Sequence, residues 1–212
     1  MPFRDRTHAG HELALRLVEW ADSGDLTDVL VLALPPGGVP VAAEVARALH
    51  VPLDVLVARE ISTPIRPETP VGAIVADDPP LYDRQGLAMM HLSEDRLGDV
   101  VAGERSEHVY RDGRPAPSVQ GRTVVLVDDG LTTGLTATAA LRFLRRLAPA
   151  RLVAAFPVGS PRTTSAIRAW CDDVVCLEQP PGLHVVGEWY EDFTRVSDTQ
   201  VAKTLLAFST PA

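Results

Sequence analysis

Apolar positions along this chain fall into two rhythms, and the order of those rhythms predicts the architecture. Residues 124–127 are a short apolar run without polar alternation, which predicts a strand buried on both faces of a parallel sheet; 29–34 and 151–156 also read as buried strands, and 53–58 and 173–177 as two more strands. Between them the apolar positions recur at helical spacing. Leu13, Leu17, Trp20 and Ala21, with Arg16 and Glu19 falling between, predict an amphipathic helix over 8–21. Residues 39–49 and 137–147 also read as helices, as does 161–170, with Ser160 as its cap and Pro161 at its first position. A last helix is expected over 198–208. The succession of strand, glycine loop, helix and strand over 29–58 is a βαβ unit, which puts its loop at the carboxyl edge of the sheet, where ligands bind in such folds. The predicted class is α/β: a central, mostly parallel sheet with helices on both faces, in one domain over 1–212.

Residues 61–118 interrupt this order. The stretch 62–70 is proline-rich, 71–76 is expected as a strand, and Asp77-Asp78-Pro79-Pro80 as a turn. A polar helix is expected over 93–110, carrying Glu94, Asp95, Arg96, Glu104, Arg105 and Glu107. It reads either as a solvated helix laced with i,i+4 pairs or as a lid over a pocket, with Arg66 and Arg105 as the arginines to reach a phosphate from this insertion.

The chemistry concentrates at 123–136, where the apolar run stops at Asp128-Asp129 and turns into a loop of glycines and hydroxyls before the next helix. A helix N-terminus offers unpaired N–H groups and a partial positive charge, so a phosphate can sit there without a dedicated cation. Thr133 and Thr136 would add hydroxyl donors, and Gly130 and Gly134 the close approach such a cradle requires. Two carboxylates are poor neighbours for phosphate but good acceptors for a pair of sugar hydroxyls beside it. The combination suggests a phosphorylated sugar. The plainer reading of the same residues is an Asp-Gly turn whose threonines cap a helix.

Charge and composition narrow the partners. A formal charge of −8 disfavours nucleic acid. No apolar run approaches a membrane span, and the start, Met-Pro-Phe-Arg-Asp-Arg, lacks a signal peptide's apolar region, so a cytoplasmic location is expected. Cys171 and Cys176 are the two cysteines, too few for a disulfide framework and without a His cluster beside them. His8 and His11 stand one turn apart with no third ligand at metal spacing. A homodimer is among the assemblies the sequence allows.

The pattern Asp-Asp-x-x-x-Thr-Gly-x-Thr after four apolar residues resembles the 5-phosphoribosyl 1-pyrophosphate (PRPP) motif of type I phosphoribosyltransferases. The stretch from Leu34-Pro35-Pro36-Gly37-Gly38 to Leu49 resembles the bacterial branch of that family, and the likeness runs from Phe3-Arg4-Asp5-Arg6 to Trp189-Tyr190-Glu191-Asp192-Phe193. The resemblance implies transfer of a phosphoribosyl group from PRPP to a nitrogenous acceptor, through an oxocarbenium-like transition state, with Mg²⁺ held mainly by substrate and water. It implies that Asp128 and Asp129 hold the ribose hydroxyls, that Gly130, Leu131, Thr132, Thr133, Gly134, Leu135 and Thr136 line the 5-phosphate site, and that Pro36, Gly37 and Gly38 receive pyrophosphate, helped by Arg59. Residues 178–196 would then be the hood over the acceptor. Its rings, Trp189 and Tyr190 among them, either stack on a planar base or seal the sheet edge. Three departures matter. The branch usually has arginine at Pro36 and lysine at Glu60, and the 6-oxopurine salvage enzymes usually have aspartate at Thr132. The first two remove positive charge from the leaving-group side, and the third disfavours a 6-oxopurine acceptor. The alternatives are a PRPP- or nucleotide-binding regulator impaired in transfer, and a hydrolase on the same sheet. Neither a Gly-x-Ser-x-Gly elbow nor a Gly-Lys-Ser/Thr loop occurs.

Overall fold

A computed structural model describes residues 3–22, 28–63, 66–76, 78–90, 92, 110 and 115–208. Its centre is a parallel sheet of five strands, β1 (Val29–Ala33), β2 (Leu53–Val55), β6 (Thr123–Val127), β7 (Arg151–Val158) and β8 (Asp173–Glu178), in the order β2-β1-β6-β7-β8. The strand periodicity divides the core. Val31, Ala33, Val125, Val127, Val153 and Ala155 face α1 (Arg6–Asp22), α2 (Gly38–Leu49) and the C-terminal helix α6 (Asp198–Ala207). Leu30, Leu32, Val124, Leu126, Leu152, Ala154 and Phe156 face α4 (Leu135–Arg146) and the end of α5 (Pro161–Ile167). Every residue of β6 is buried, as a strand covered on both faces must be. Ser160 caps α5 by accepting from the Thr163 N–H, with Pro161 at the first position, as its sequence predicts.

The expected strand over 53–58 is two strands. Residues Leu53–Val55 pair with β1 and the Leu56 N–H donates to the Ala33 carbonyl, but beyond that point the neighbouring chain enters Pro35-Pro36, which offers no N–H to continue a ladder. The chain therefore leaves the main sheet and begins β3 (Ala58–Thr63), antiparallel to β4 (Arg66–Val75), which pairs in turn with β5 (Leu81–Tyr82). This second, three-stranded sheet was not expected from sequence. The strand expected at 71–76 starts earlier, through Pro67 and Pro70. Those prolines are accommodated because β5 pairs only with Gly72 and Ala73 and because the β3–β4 register shifts on either side of Ser62. One face of the small sheet, with Ile61, Val71 and Ile74, packs on Leu87 of the short helix α3 (Arg84–Met89). The other, with Ala58, Ala73 and Val75, joins Ala139 and Ala140 of α4 in the main core. The expected helix over 93–110 lies outside the described residues, with Arg105, except for Tyr110, whose buried hydroxyl donates to Asp198 at 2.7 Å.

Cys171 is buried and Cys176 half-buried; both are free thiols, and burial pushes each up to about 11. His8 and His11 face Glu12 and Glu44 at 3.9 and 3.6 Å, and no group of three or more His, Cys, Asp or Glu able to hold a metal occurs among the described residues. No helix among them is long and apolar enough to cross a membrane.

Candidate active site

The carboxyl ends of β1 and β6 lie side by side, with Ala33 opposite Val127, so the two loops singled out by sequence leave the sheet next to each other. Their contact is close. The Leu34 N–H donates to the Val127 carbonyl at 2.9 Å, and a Cβ on Gly37 would overlap the Asp129 carboxylate. A Cβ on Gly38 would stand 2.8 Å from the Val127 carbonyl oxygen and 3.1 Å from an Asp128 carboxylate oxygen. Gly37 has ordinary helical angles, so the absence of a side chain is required here by space and not by backbone conformation. The first glycine loop and the acid pair are thus in direct contact.

The pair itself is folded back on the chain. The Asp129 N–H donates to Asp128 Oδ1 at 2.8 Å, and the Tyr190 hydroxyl donates to the Asp129 carbonyl at 2.6 Å. Arg6 Nε donates to Asp129 Oδ2 at 2.7 Å. Loss of water around the carboxyl and repulsion from Asp129 hold Asp128 well above the ordinary carboxylate range, with Glu60 adding to the repulsion. Asp129 is also raised by burial, against the opposing pull of Arg6.

Beyond the pair the loop is pinned at both edges. Gly130 packs so close to Val186 of the 178–196 segment that a Cβ would meet its methyl groups at 2.5 Å. Leu131 donates to Val158 and accepts from the Ser160 N–H, and the Thr132 carbonyl accepts from the Thr163 hydroxyl at 2.6 Å. Gly134 has φ of 73°, a left-handed conformation that glycine adopts without strain, and from it α4 starts at Leu135. The N–H groups of Thr136 and Ala137, in the first turn, have no carbonyl within the helix to meet. Residues 132–136 therefore offer the geometry of an anion cradle beside two carboxylates.

On the other side of the acid pair is a cleft lined by Pro35, Pro36, Val57, Ala58, Arg59, Glu60 and Tyr110. Arg59 and Glu60 reach it because β3 begins here. Burial raises the Glu60 carboxyl, whose charge is felt at Asp128, so Glu60 faces the pocket side. The sequence-predicted Pro36 and Arg59 are thus brought together with Gly37 and Gly38.

Tyr190 differs from the acceptor-stacking alternative. Its ring is 6% exposed, between Phe3 at 5.5 Å and Phe193 at 5.0 Å, and its hydroxyl is committed to Asp129, so it seals and supports the site. Trp189 is half-buried against the same cluster. The sequence reading missed Arg6, 123 residues away from the carboxylate it binds. Its one signal is membership of the Phe3-Arg4-Asp5-Arg6 segment; an arginine at a helix start is ordinarily solvated.

Known proteins agree with this architecture. A protein of Mycobacterium tuberculosis (strain H37Rv), named provisionally as a phosphoribosyl transferase, is 38% identical over 208 residues, covering 96% of this chain. The chain spans 46% of that relative's length. The crystal structure of a Thermus thermophilus protein superposes with a TM-score of 0.78 at 37% identity, covering 99% of this chain and 100% of that one. A hypoxanthine phosphoribosyltransferase from Staphylococcus aureus shares the fold, with a TM-score of 0.51 at 10% identity over 85% of this chain and 77% of its own. The phosphoribosyl transferase domain matches residues 6–192, which include both glycine loops, the acid pair and Arg6, and the chain belongs to that family.

Proposed function

We propose that this chain transfers a phosphoribosyl group from PRPP to a nitrogenous acceptor and releases pyrophosphate. One observation carries the reading: the acid pair stands between two glycine-rich loops at the carboxyl edge of adjacent parallel strands, close enough to Gly37 that a Cβ would overlap Asp129. A molecule with a vicinal diol flanked by two phosphate groups has complementary chemistry.

In this reading the carboxylates of Asp128 and Asp129 accept from the ribose 2- and 3-hydroxyls and put negative charge near the cationic sugar of the transition state. N–H and hydroxyl groups of 132–136 hold the 5-phosphate, with Thr133 and Thr136 as the side-chain donors. Gly37 and Gly38 let the pyrophosphate approach the backbone, and Arg59 is a cation of that cleft among the described residues. The residues fit Mg²⁺ bound mainly through substrate oxygens and water: carboxylates are at hand, but no three-ligand cage occurs among the described residues. When bound, that ion would neutralise charge on the departing pyrophosphate. Thr132 offers no carboxylate to handle a base proton, which favours an acceptor nitrogen that loses its proton to water or to another part of the substrate.

The cleft also supports a second reading, a PRPP- or nucleotide-binding regulator impaired in transfer. Pro36 brings neither an N–H nor a charge to the leaving group, and Glu60 repels it. Calorimetric titration of PRPP with Mg²⁺, followed by pyrophosphate-release assays over a panel of bases and amines, separates the two. Binding with turnover supports transfer, binding without turnover on any acceptor supports the regulator, and no binding overturns both.

A further inference from the structure

We propose that Arg6 is a positioning residue that holds Asp129 and opposes protonation of the Asp128–Asp129 pair, and so helps set the pH below which the site stops accepting a sugar diol. This rests on the assignment of the acid pair to sugar hydroxyls and extends it to a residue at the start of the first helix.

The geometry is a fixed clamp. Arg6 is 9% exposed, and its Nε donates to Asp129 Oδ2 at 2.7 Å while a terminal nitrogen donates to the Thr194 carbonyl at 2.8 Å. The guanidinium lies over the Phe193 ring, 3.7 Å from its centre, and 6.0 Å from that of Tyr190. The clamp is anchored because the chain on both sides of it is paired. The Phe3 N–H donates to the Trp189 carbonyl, and Glu191 and Asp192 donate to the carbonyls of Phe3 and Arg4. A planar, permanently charged group held at two bonds and a ring face cannot swing to solvent without breaking all three.

The charges facing the pair make that cation consequential. Asp129 meets Asp128, Arg6 and the Tyr190 hydroxyl; Asp128 meets Asp129, Arg6 and Glu60; Arg6 is also felt at Asp192. Every other titrating group in this set is acidic. Two adjacent carboxylates with a third nearby do not both stay ionised in a desolvated site, and a shared proton removes acceptor capacity that a vicinal diol needs. Arg6 opposes that proton through its bond to Oδ2 of Asp129.

The test uses Arg6→Met, Arg6→Lys and Phe193→Leu in the full chain, each checked for native circular dichroism. Ribose 5-phosphate affinity is measured by calorimetry across pH, beside 2-deoxyribose 5-phosphate, which lacks one hydroxyl of the diol. For Arg6→Met, ribose 5-phosphate binding is expected to weaken about tenfold at the acidic end of the pH series and to recover towards wild type as pH rises, because the pair then loses its proton unaided. Arg6→Lys is expected to restore most of the loss, Phe193→Leu to give a smaller loss of the same pH form, and the deoxy sugar to be less affected. Carboxyl ¹³C NMR of the free protein should show the pair titrating at higher pH in Arg6→Met. An affinity loss independent of pH, or an unmoved carboxyl titration, overturns the proposal for Arg6. A moved titration with unchanged ribose 5-phosphate binding instead overturns the sugar assignment on which it rests.

Discussion

The two sides of the acid pair are built differently. On the β6–α4 side, each turn of the chain is tied: Gly130 under Val186, Leu131 between Val158 and Ser160, Thr132 to Thr163, and the helix opening at Gly134. On the β1–β3 side the loop contributes prolines and glycines, and Arg59 shares its cleft with Glu60. The first side needs no cation, since a helix terminus and hydroxyls serve an anion. In the proposed reading the second side meets the more highly charged group, and among the described residues its cleft sets Arg59 beside Glu60. A site assembled this way is expected to hold a sugar 5-phosphate well and to gain little from pyrophosphate.

The strongest test of that contrast removes the element common to both sides. Asp128→Asn with Asp129→Asn replaces two charged acceptors by neutral ones and is expected to cost about 3 kcal/mol, roughly a hundredfold in Kd, for ribose 5-phosphate and PRPP alike. Calorimetry on the folded double variant measures it, and unchanged affinity for both ligands would remove the acid pair from the site. Next in size, Pro36→Arg with Glu60→Lys should improve PRPP affinity about tenfold, the two charge-assisted contacts being discounted for exposure, and leave ribose 5-phosphate almost unchanged. The contrast collapses if wild type already prefers PRPP by a hundredfold, because Arg59, another arginine or Mg²⁺ then supplies what Pro36 lacks. Tyr190→Phe should lower stability by about 1 kcal/mol and weaken ribose 5-phosphate by less than tenfold, since it removes one hydrogen bond to the Asp129 backbone. A larger loss of affinity than of stability would show Tyr190 touching ligand directly.

The smallest effect is informative through its sign. Desolvation and Asp129 raise the Asp128 carboxyl, so the native state keeps a proton that the unfolded chain has released. Stability linked to that proton is complete below the ordinary carboxylate value of 3.8 and is lost as pH rises through the raised one. Asp128→Asn removes the titration while its side-chain oxygen can still accept from Asp129. The single variant should therefore become progressively more stable than wild type as pH rises from the ordinary carboxylate value of 3.8 through the raised one, measured by urea unfolding. A difference that is flat with pH would mean that the carboxylate is well solvated.

Much of this site is legible along the chain because its parts are local. A β-branched run ending in Asp128-Asp129, followed by glycines, hydroxyls and a helix, requires only neighbours in sequence to be recognised, and the same holds for Pro35-Pro36-Gly37-Gly38 between β1 and α2. Where the reading went astray or left two alternatives open, the deciding partner was remote. The apolar run 53–58 is equally suited to one strand or two, and it divides because β1 gives way to two prolines while β4 offers a new ladder. Tyr190 reads equally as a platform for a base or as a seal, and the packing of Phe3 and Phe193 against it decides for the seal.

By itself, then, the amino-acid order determined the five parallel strands, of which β8 at the sheet edge is only half-buried, the helices that cover them, and an acid pair flanked by glycine loops, because hydrophobic period and turn chemistry act over a few residues. The tertiary structure alone decided that the N-terminal segment and the 189–194 segment close behind the acid pair, and that Arg6 is the cation facing Asp129 across 123 residues. An ion pair of that separation leaves no periodic trace in the chain. Its strength comes from burial and fixed geometry, which exist only once the sheet edge, the first helix and the Phe193 ring have come together.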